Sequence, residues 1–175
     1  HRDLHSFPTR RSSDLAQKIG AVPNERYRLL WDNLPIWFKT KWLSDKFASY
    51  DACLVADTYT SAWCGALDYL DENDFLGSMV EGYTRIYLNI GVDEMLKIIK
   101  KMIKKYDVDG FVMHSNRSCR AYSLGQYELA RRLDEKHGLP TIMIEGDQSD
   151  TRSWSDEQVA TRIDAFMELV ASRAS

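Results

Sequence analysis

FVMHSNRSCRAYSLGQYELARRL, residues 111–133, sets a hydrophobic run, a polar turn and a helical pattern end to end. Phe111 to Met113 show no alternation of polar and apolar side chains, the mark of a strand covered on both faces. Ser115–Ser123 supplies a turn. Beyond it Leu124, Tyr127, Ala130 and Leu133 recur at helical steps, a pattern ended by Gly138 and Pro140, with Ser123 read as the N-cap. A strand running straight into a helix is half of a βαβ unit, so this stretch predicts parallel strands and an α/β domain. Its single cysteine, Cys119, stands at the hinge between Arg117 and Arg120 in a chain with three cysteines.

The same texture extends on both sides. ACLVA (52–56), GFVMH (110–114) and TIMIE (141–145) read as buried strands, and IWF (36–38), after Pro35, as a short one. Met95, Ile98, Ile99, Met102, Ile103 and Tyr106 make one apolar helix stripe, with lysines mostly on the other side. Val159, Ile163, Phe166, Met167 and Val170 make another, opened by the capping-box pair Ser155 and Gln158. The stretch 57–91 is mixed, with TSAWCGALDYL helical in character. This rhythm predicts a three-layer, flavodoxin- or Rossmann-like α/β fold: a parallel sheet of about four strands with helices on both faces.

Composition narrows the function. The chain has 175 residues, 44% hydrophobic and 28% charged, with 23 Lys+Arg against 26 Asp+Glu, which gives no electrostatic reason to expect nucleic acid. No apolar run reaches the roughly 18–20 residues that span a membrane. Three irregularly spaced cysteines make no disulfide framework, and the expected location is the cytoplasm. HRDLHSFPTRRSSDL, residues 1–15, lacks periodicity and resembles a translated sequencing adapter, so it is set aside as a non-native tail. Residues 16–50 are expected to hold a remnant of a preceding domain with the first strand, and 51–175 the C-terminal α/β domain. The upstream part of the gene product is then missing.

Sites in such sheets lie beyond the carboxyl ends of the strands. Three loops fall there: Asp57–Ala62, Ser115–Ser123 and Gly146–Ser155, the last contributing Asp147, Asp150 and Arg152. A helix amino end and two arginines favour a thiolate at Cys119, which suits a nucleophile or a metal ligand. On position alone, an inconsequential turn cysteine explains it equally well. Ser118 before the cysteine and Gly125 six residues after it exclude a cysteine-phosphatase loop, and no nucleotide-binding glycine motif or C-x-x-C pair exists. Cys53 and Cys64 read as structural, His114 as a satisfied structural histidine, and the five tryptophans as core or interface aromatics.

Longer motifs go further. D-G-x-x-x-H-x-N-R-S-C (109–119), S-L-G-Q-Y (123–127), E-G-D-x-x-D-x-R (145–152) and EQVATRIDAFMEL (157–169) stand in order, and PIWF…DACLVADTYTSAW (35–63) agrees more loosely. Over most of residues 30–170 the chain resembles a 2-hydroxyacyl-CoA dehydratase subunit, of the family that includes benzoyl-CoA reductase subunits. The resemblance implies a 4Fe–4S cluster held by three cysteines, with Cys119 as one ligand and the other two upstream. It implies Ser115, Asn116 and Ser118 as hydrogen-bond donors around the cluster, and Arg117 or Arg120 as offsetting cluster or phosphate charge. A structural turn and solvent-facing salt bridges are the alternatives for these residues. No catalytic side chain is assigned. The implied partners are an acyl-CoA substrate, a paired homologous subunit and a separate ATP-dependent iron–sulfur activator. The implied chemistry is radical: one electron enters the thioester carbonyl, the ketyl radical anion expels the neighbouring hydroxyl, a β-proton leaves, and the electron returns. Ring reduction of an aromatic acyl-CoA, or a docking and electron-transfer scaffold without its own substrate, are the rival implications.

Overall fold

Tyr27–Asp32 (YRLLWD) is the strand around which the sheet is built, here called β1. In the computed structural model, which describes residues 16, 17, 19, 20, 22 and 24–174, it pairs in parallel with β2 (Ala52–Asp57) and β3 (Gly110–Asn116). β3 pairs in parallel with β4 (Thr141–Gly146), giving the order β2-β1-β3-β4. The adapter-like tail at 1–15 lies outside the described residues.

Both faces of this sheet are covered, which is why its central strands are apolar on both sides. On one face, α1 (Thr40–Ala48) and α7 (Asp156–Arg173) pack on Leu29, Trp31, Val112 and Ile144. On the other, α4 (Val92–Tyr106) and α6 (Gln126–His137) cover Leu30, Phe111 and Met113. Gly110 is needed where β3 passes under α7, since a Cβ there would stand 2.7 Å from Phe166 Cζ. The three-layer expectation holds. A hairpin of α2 (Thr58–Ala66) and α3 (Phe75–Thr84) leaves the end of β2, and a one-turn helix α5 (Arg120–Ser123) precedes α6. No helix among the described residues is long and apolar enough to cross a membrane.

Helix signals behave as charge and capping predict. α4 carries Asp93 and Glu94 in its first turn and Lys104 and Lys105 in its last, each opposing the local end of the macrodipole. It stops at Asp107, held in the left-handed region at φ 53°. Ser155 caps α7 by accepting the Gln158 amide, and the five apolar residues expected to line that helix are all buried.

Two expectations fail. The strand expected at 36–38 is a 3₁₀ turn, Trp37–Lys39. Asn33, at φ 82°, swings the chain off β1, and Pro35 has no amide to give a ladder. Ile36 is then buried while Trp37 is exposed. The stripe on α6 is also rotated: Leu124 and Tyr127 are 83% and 77% exposed, and Gln126, Leu129 and Leu133 face inward. The phase breaks because α5 ends at Ser123 and α6 begins only after Gly125. Ser123 is accordingly no N-cap of α6; its hydroxyl donates to the Asn116 carbonyl at 2.9 Å.

Candidate functional site

The strand order reverses between β1 and β3, so the crevice of the fold opens at the carboxyl ends of these strands. β3 delivers His114, Ser115 and Asn116 to that edge, and the next three residues form a tight turn. Its frame is backbone: the Arg117 amide donates to the Gly146 carbonyl (3.0 Å) and the Cys119 amide to the Asn116 carbonyl (3.2 Å). Asn116 is buried; its Oδ1 accepts the Ser118 amide at 3.0 Å, while its Nδ2 has no partner among the described residues.

The β4 loop fastens the turn from the other side. Asp147 Oδ2 accepts the Ser118 hydroxyl, and Oδ1 accepts the amides of Ser149 and Asp150, both at 2.9 Å. These bonds favour the charged form, the Ser118 hydroxyl most, and hold the Asp147 pKa below its ordinary value of 3.8. A polar cleft of about 400 Å³ follows, lined by Arg117, Ser118, Asp147, Asp150, Arg152 and Ser153. Asp150 and Arg152 pair with each other (2.7 Å), and Arg117 reaches Glu145 at 3.3 Å, both pairs at the surface.

Asp147→Ala should lower unfolding stability by about 1–2 kcal/mol at pH 7, because three donors lose their acceptor. A group with a depressed folded pKa contributes above its unfolded pKa and loses that contribution as pH falls through the folded value. The gap between wild type and variant should therefore be full at about pH 5 and shrink below 3.8. Urea titrations of both at a series of pH values measure this directly.

Cys119 is half-buried at the head of α5, packed beside the apolar cluster under α4 and α6. Among the described residues its thiol makes no hydrogen bond. Arg117 and Arg120 are both exposed. Of the other cysteines, Cys53 is half-buried on β2, where burial pushes its thiol pKa up. Cys64 is exposed on α2, so it does not hold the core together as expected. No group of three or more His, Cys, Asp or Glu that could hold a metal ion exists among the described residues.

Two of the three expected loops meet in the cleft. The third, from Asp57, starts α2, with Asp57 accepting the Thr60 amide at 2.6 Å. It joins the others only beneath the surface, where the buried Tyr122 hydroxyl donates to the Thr58 carbonyl at 3.5 Å.

Below the cleft lies a polar cluster that sequence reasoning misses. Asp32, at the end of β1, is fully buried; it accepts Thr58 Oγ1 at 2.9 Å and Gln126 Nε2 at 2.7 Å. Burial raises its pKa, and these two hydrogen bonds only partly offset that. Gln126 Nε2 also donates to the His114 carbonyl (3.0 Å), as does Asn33 Nδ2 (2.7 Å). His114 donates through Nδ1 to the Leu34 carbonyl at 2.7 Å, and burial lowers its pKa. Its Nε2 makes no hydrogen bond of good geometry among the described residues, although the Gly146 backbone lies close enough to act on it. Gln126 lies in the S-L-G-Q-Y motif, the one signal in the sequence that singles it out.

Known proteins are similar to this chain over most of its length. The family model described as 2-hydroxyglutaryl-CoA dehydratase, D-component, matches residues 9–170. The chain is 33% identical over 146 residues to the lactoyl-CoA dehydratase alpha chain of Anaerotignum propionicum, covering 83% of this chain and 34% of that one. It is 34% identical over 149 residues to the (R)-2-hydroxyisocaproyl-CoA dehydratase alpha subunit of Clostridioides difficile, covering 85% and 36%. A benzoyl-CoA reductase subunit of Thauera aromatica is 28% identical over 159 residues, 89% of this chain and 37% of its own. The chain thus spans about a third of the length of the curated relatives it matches.

Proposed function

The chain belongs to the 2-hydroxyglutaryl-CoA dehydratase D-component family, and from that we propose that it is part of an iron–sulfur 2-hydroxyacyl-CoA dehydratase subunit in which Cys119 ligates a 4Fe–4S cluster. What supports the proposal is the position of Cys119 in the turn that follows β3, half-buried and with no hydrogen bond to its thiol among the described residues.

The residues present fit one corner of such a cluster. Four ligands are the norm, of which solvent or substrate supplies at most one, and only one suitably placed thiol stands at this edge among the described residues. The remaining thiolates come from the rest of the full-length subunit. When bound, the group supplies reversible one-electron chemistry at the thioester carbonyl, with the electron delivered by a separate ATP-dependent activator.

The chain's own residues do the positioning. Asn116 and the Ser118–Asp147 clasp fix the turn, so the thiol is presented without a reorganisation cost when the group binds. The buried Asn116 Nδ2, unpartnered among the described residues, is a donor available to a cluster sulfur. Arg117 and Arg120, exposed on either side of the cysteine, offer positive charge to the phosphates of an acyl-CoA.

The test uses the full-length subunit with its homologous partner and activator, kept anaerobic. The proposal expects iron to co-purify and a 2-hydroxyacyl-CoA to give the enoyl-CoA. Reduction of benzoyl-CoA without dehydration would transfer the site to the reductase branch. Iron-free protein with neither activity would leave a scaffold.

A further inference from the structure

α3 is built inside out. Its inner face is small: Ser78 and Gly82 are buried, and a Cβ on Gly82 would stand 2.8 Å from the Ala66 carbonyl oxygen of α2. The two helices are therefore in backbone contact, braced further by the Ser78 hydroxyl accepting the Asp71 amide at 3.0 Å. The large apolar side chains point the other way. Leu76 is 74% exposed and Val80 64%, and Phe75, Met79 and Tyr83 are exposed beside them. Trp63 and Leu67 of the preceding segment continue the surface, and a cleft of about 390 Å³ lined almost wholly by apolar side chains runs between the two helices. A contiguous apolar face of this size on a folded domain marks a surface that is covered in the working protein.

Charge restricts what covers it. From Thr58 to Thr84 the chain has five acidic residues and no lysine or arginine. Glu81 is paired with Arg85 at 2.8 Å, just past the segment. Asp68, Asp71, Glu72 and Asp74 are exposed and form no ion pair among the described residues. Two copies of this chain meeting face to face across a twofold axis would press these carboxylates together, which costs rather than stabilises. Interfaces between domains of one chain are on average more polar than this face, which favours a separate subunit over another part of the same chain. Trp, Tyr, Phe, Met and Leu grouped around a cleft are the anchors of an obligate subunit interface.

We infer that the outer face of the α2–α3 hairpin is the docking surface for the homologous second subunit, which presents an apolar face ringed by lysine or arginine. This rests on the dehydratase reading, which supplies that subunit. The hairpin springs from the carboxyl end of β2, and Thr58 at its root touches Tyr122 of the cysteine-bearing segment. A subunit seated there stands next to the crevice, and charge alone selects it over a second copy.

The experiment measures the affinity of the full-length subunit for its partner, with iron content and circular dichroism recorded on the same preparations. Leu76→Glu/Val80→Glu should raise Kd by at least about 100-fold, as the loss of central interface anchors does. Glu72→Lys, a surface change on which the fold does not depend, should raise it about 10-fold and flatten its salt dependence. An unchanged Kd in both variants overturns the inference, whether self-association falls (a second copy was the occupant) or proteolysis of the variant quickens (its own chain was). Because assembly and iron are read separately, weakened assembly of an iron-free protein would leave the docking surface standing while removing the cluster. Iron-loaded variants that assemble normally would do the reverse.

Discussion

Full-length subunit carrying Cys119→Ser should purify without its brown absorbance and lose activity on the order of 10³-fold or more, since the cofactor carries the hard chemistry and leaves little behind when it goes. Serine is nearly isosteric, so packing beside the apolar cluster under α4 and α6 is kept. What changes is the donor: a soft thiolate is exchanged for a hard alkoxide that is protonated at neutral pH. The circular dichroism and unfolding midpoint of the 175-residue chain should scarcely move, because no hydrogen bond to the Cys119 thiol exists to be lost among the described residues. That pairing separates a ligand from a structural cysteine. A structural one would change stability and leave the iron.

The opposite pairing is expected beneath the site. Gln126→Ala should destabilise the chain by about 3–5 kcal/mol, because it removes the donor shared by the Asp32 carboxyl and the His114 carbonyl and leaves a cavity. Each acceptor is fully buried, so water cannot replace the lost bond. For a chain of this size the unfolding temperature should fall on the order of 10 °C. The His114 carbonyl lies two residues before Asn116, so the turn that presents Cys119 should loosen as well. Thermal unfolding of Gln126→Ala beside Gln126→Glu measures the effect; glutamate supplies acceptors where a donor is needed and should be no better. A change of less than about 1 kcal/mol would mean that the cluster does not underpin the fold.

The sequence makes some of this legible and hides the rest for physical reasons. Residues 111–133 declare a strand, a turn and a helix because two are written in hydrophobic period and the third in its absence. The α4 and α7 stripes are equally plain, each helix having a single buried face. β1 is hard to read because Arg28 and Asp32 interrupt its apolar run. Their partners lie far along the chain: Arg28 Nε donates to the Tyr106 carbonyl 78 residues away, and Gln126 reaches Asp32 across 94. The same partner explains the rotated α6. A glutamine faces inward because it serves a buried carboxyl, and no rule that places apolar residues inside can anticipate that. Position makes Cys119 no more than a candidate and only the motif resemblance implies a ligand there, while the clasp between Ser118 and Asp147 is a tertiary fact.

Cysteine alkylation followed by mass spectrometry tests the central claim most directly, on anaerobic full-length protein before and after the iron is removed by a chelator. Cys64, exposed on α2, serves as the internal standard and should be labelled in both states. Cys119 should be protected while iron is bound and become reactive once it is stripped. Equal labelling of Cys119 in the two states would mean that its sulfur holds no metal.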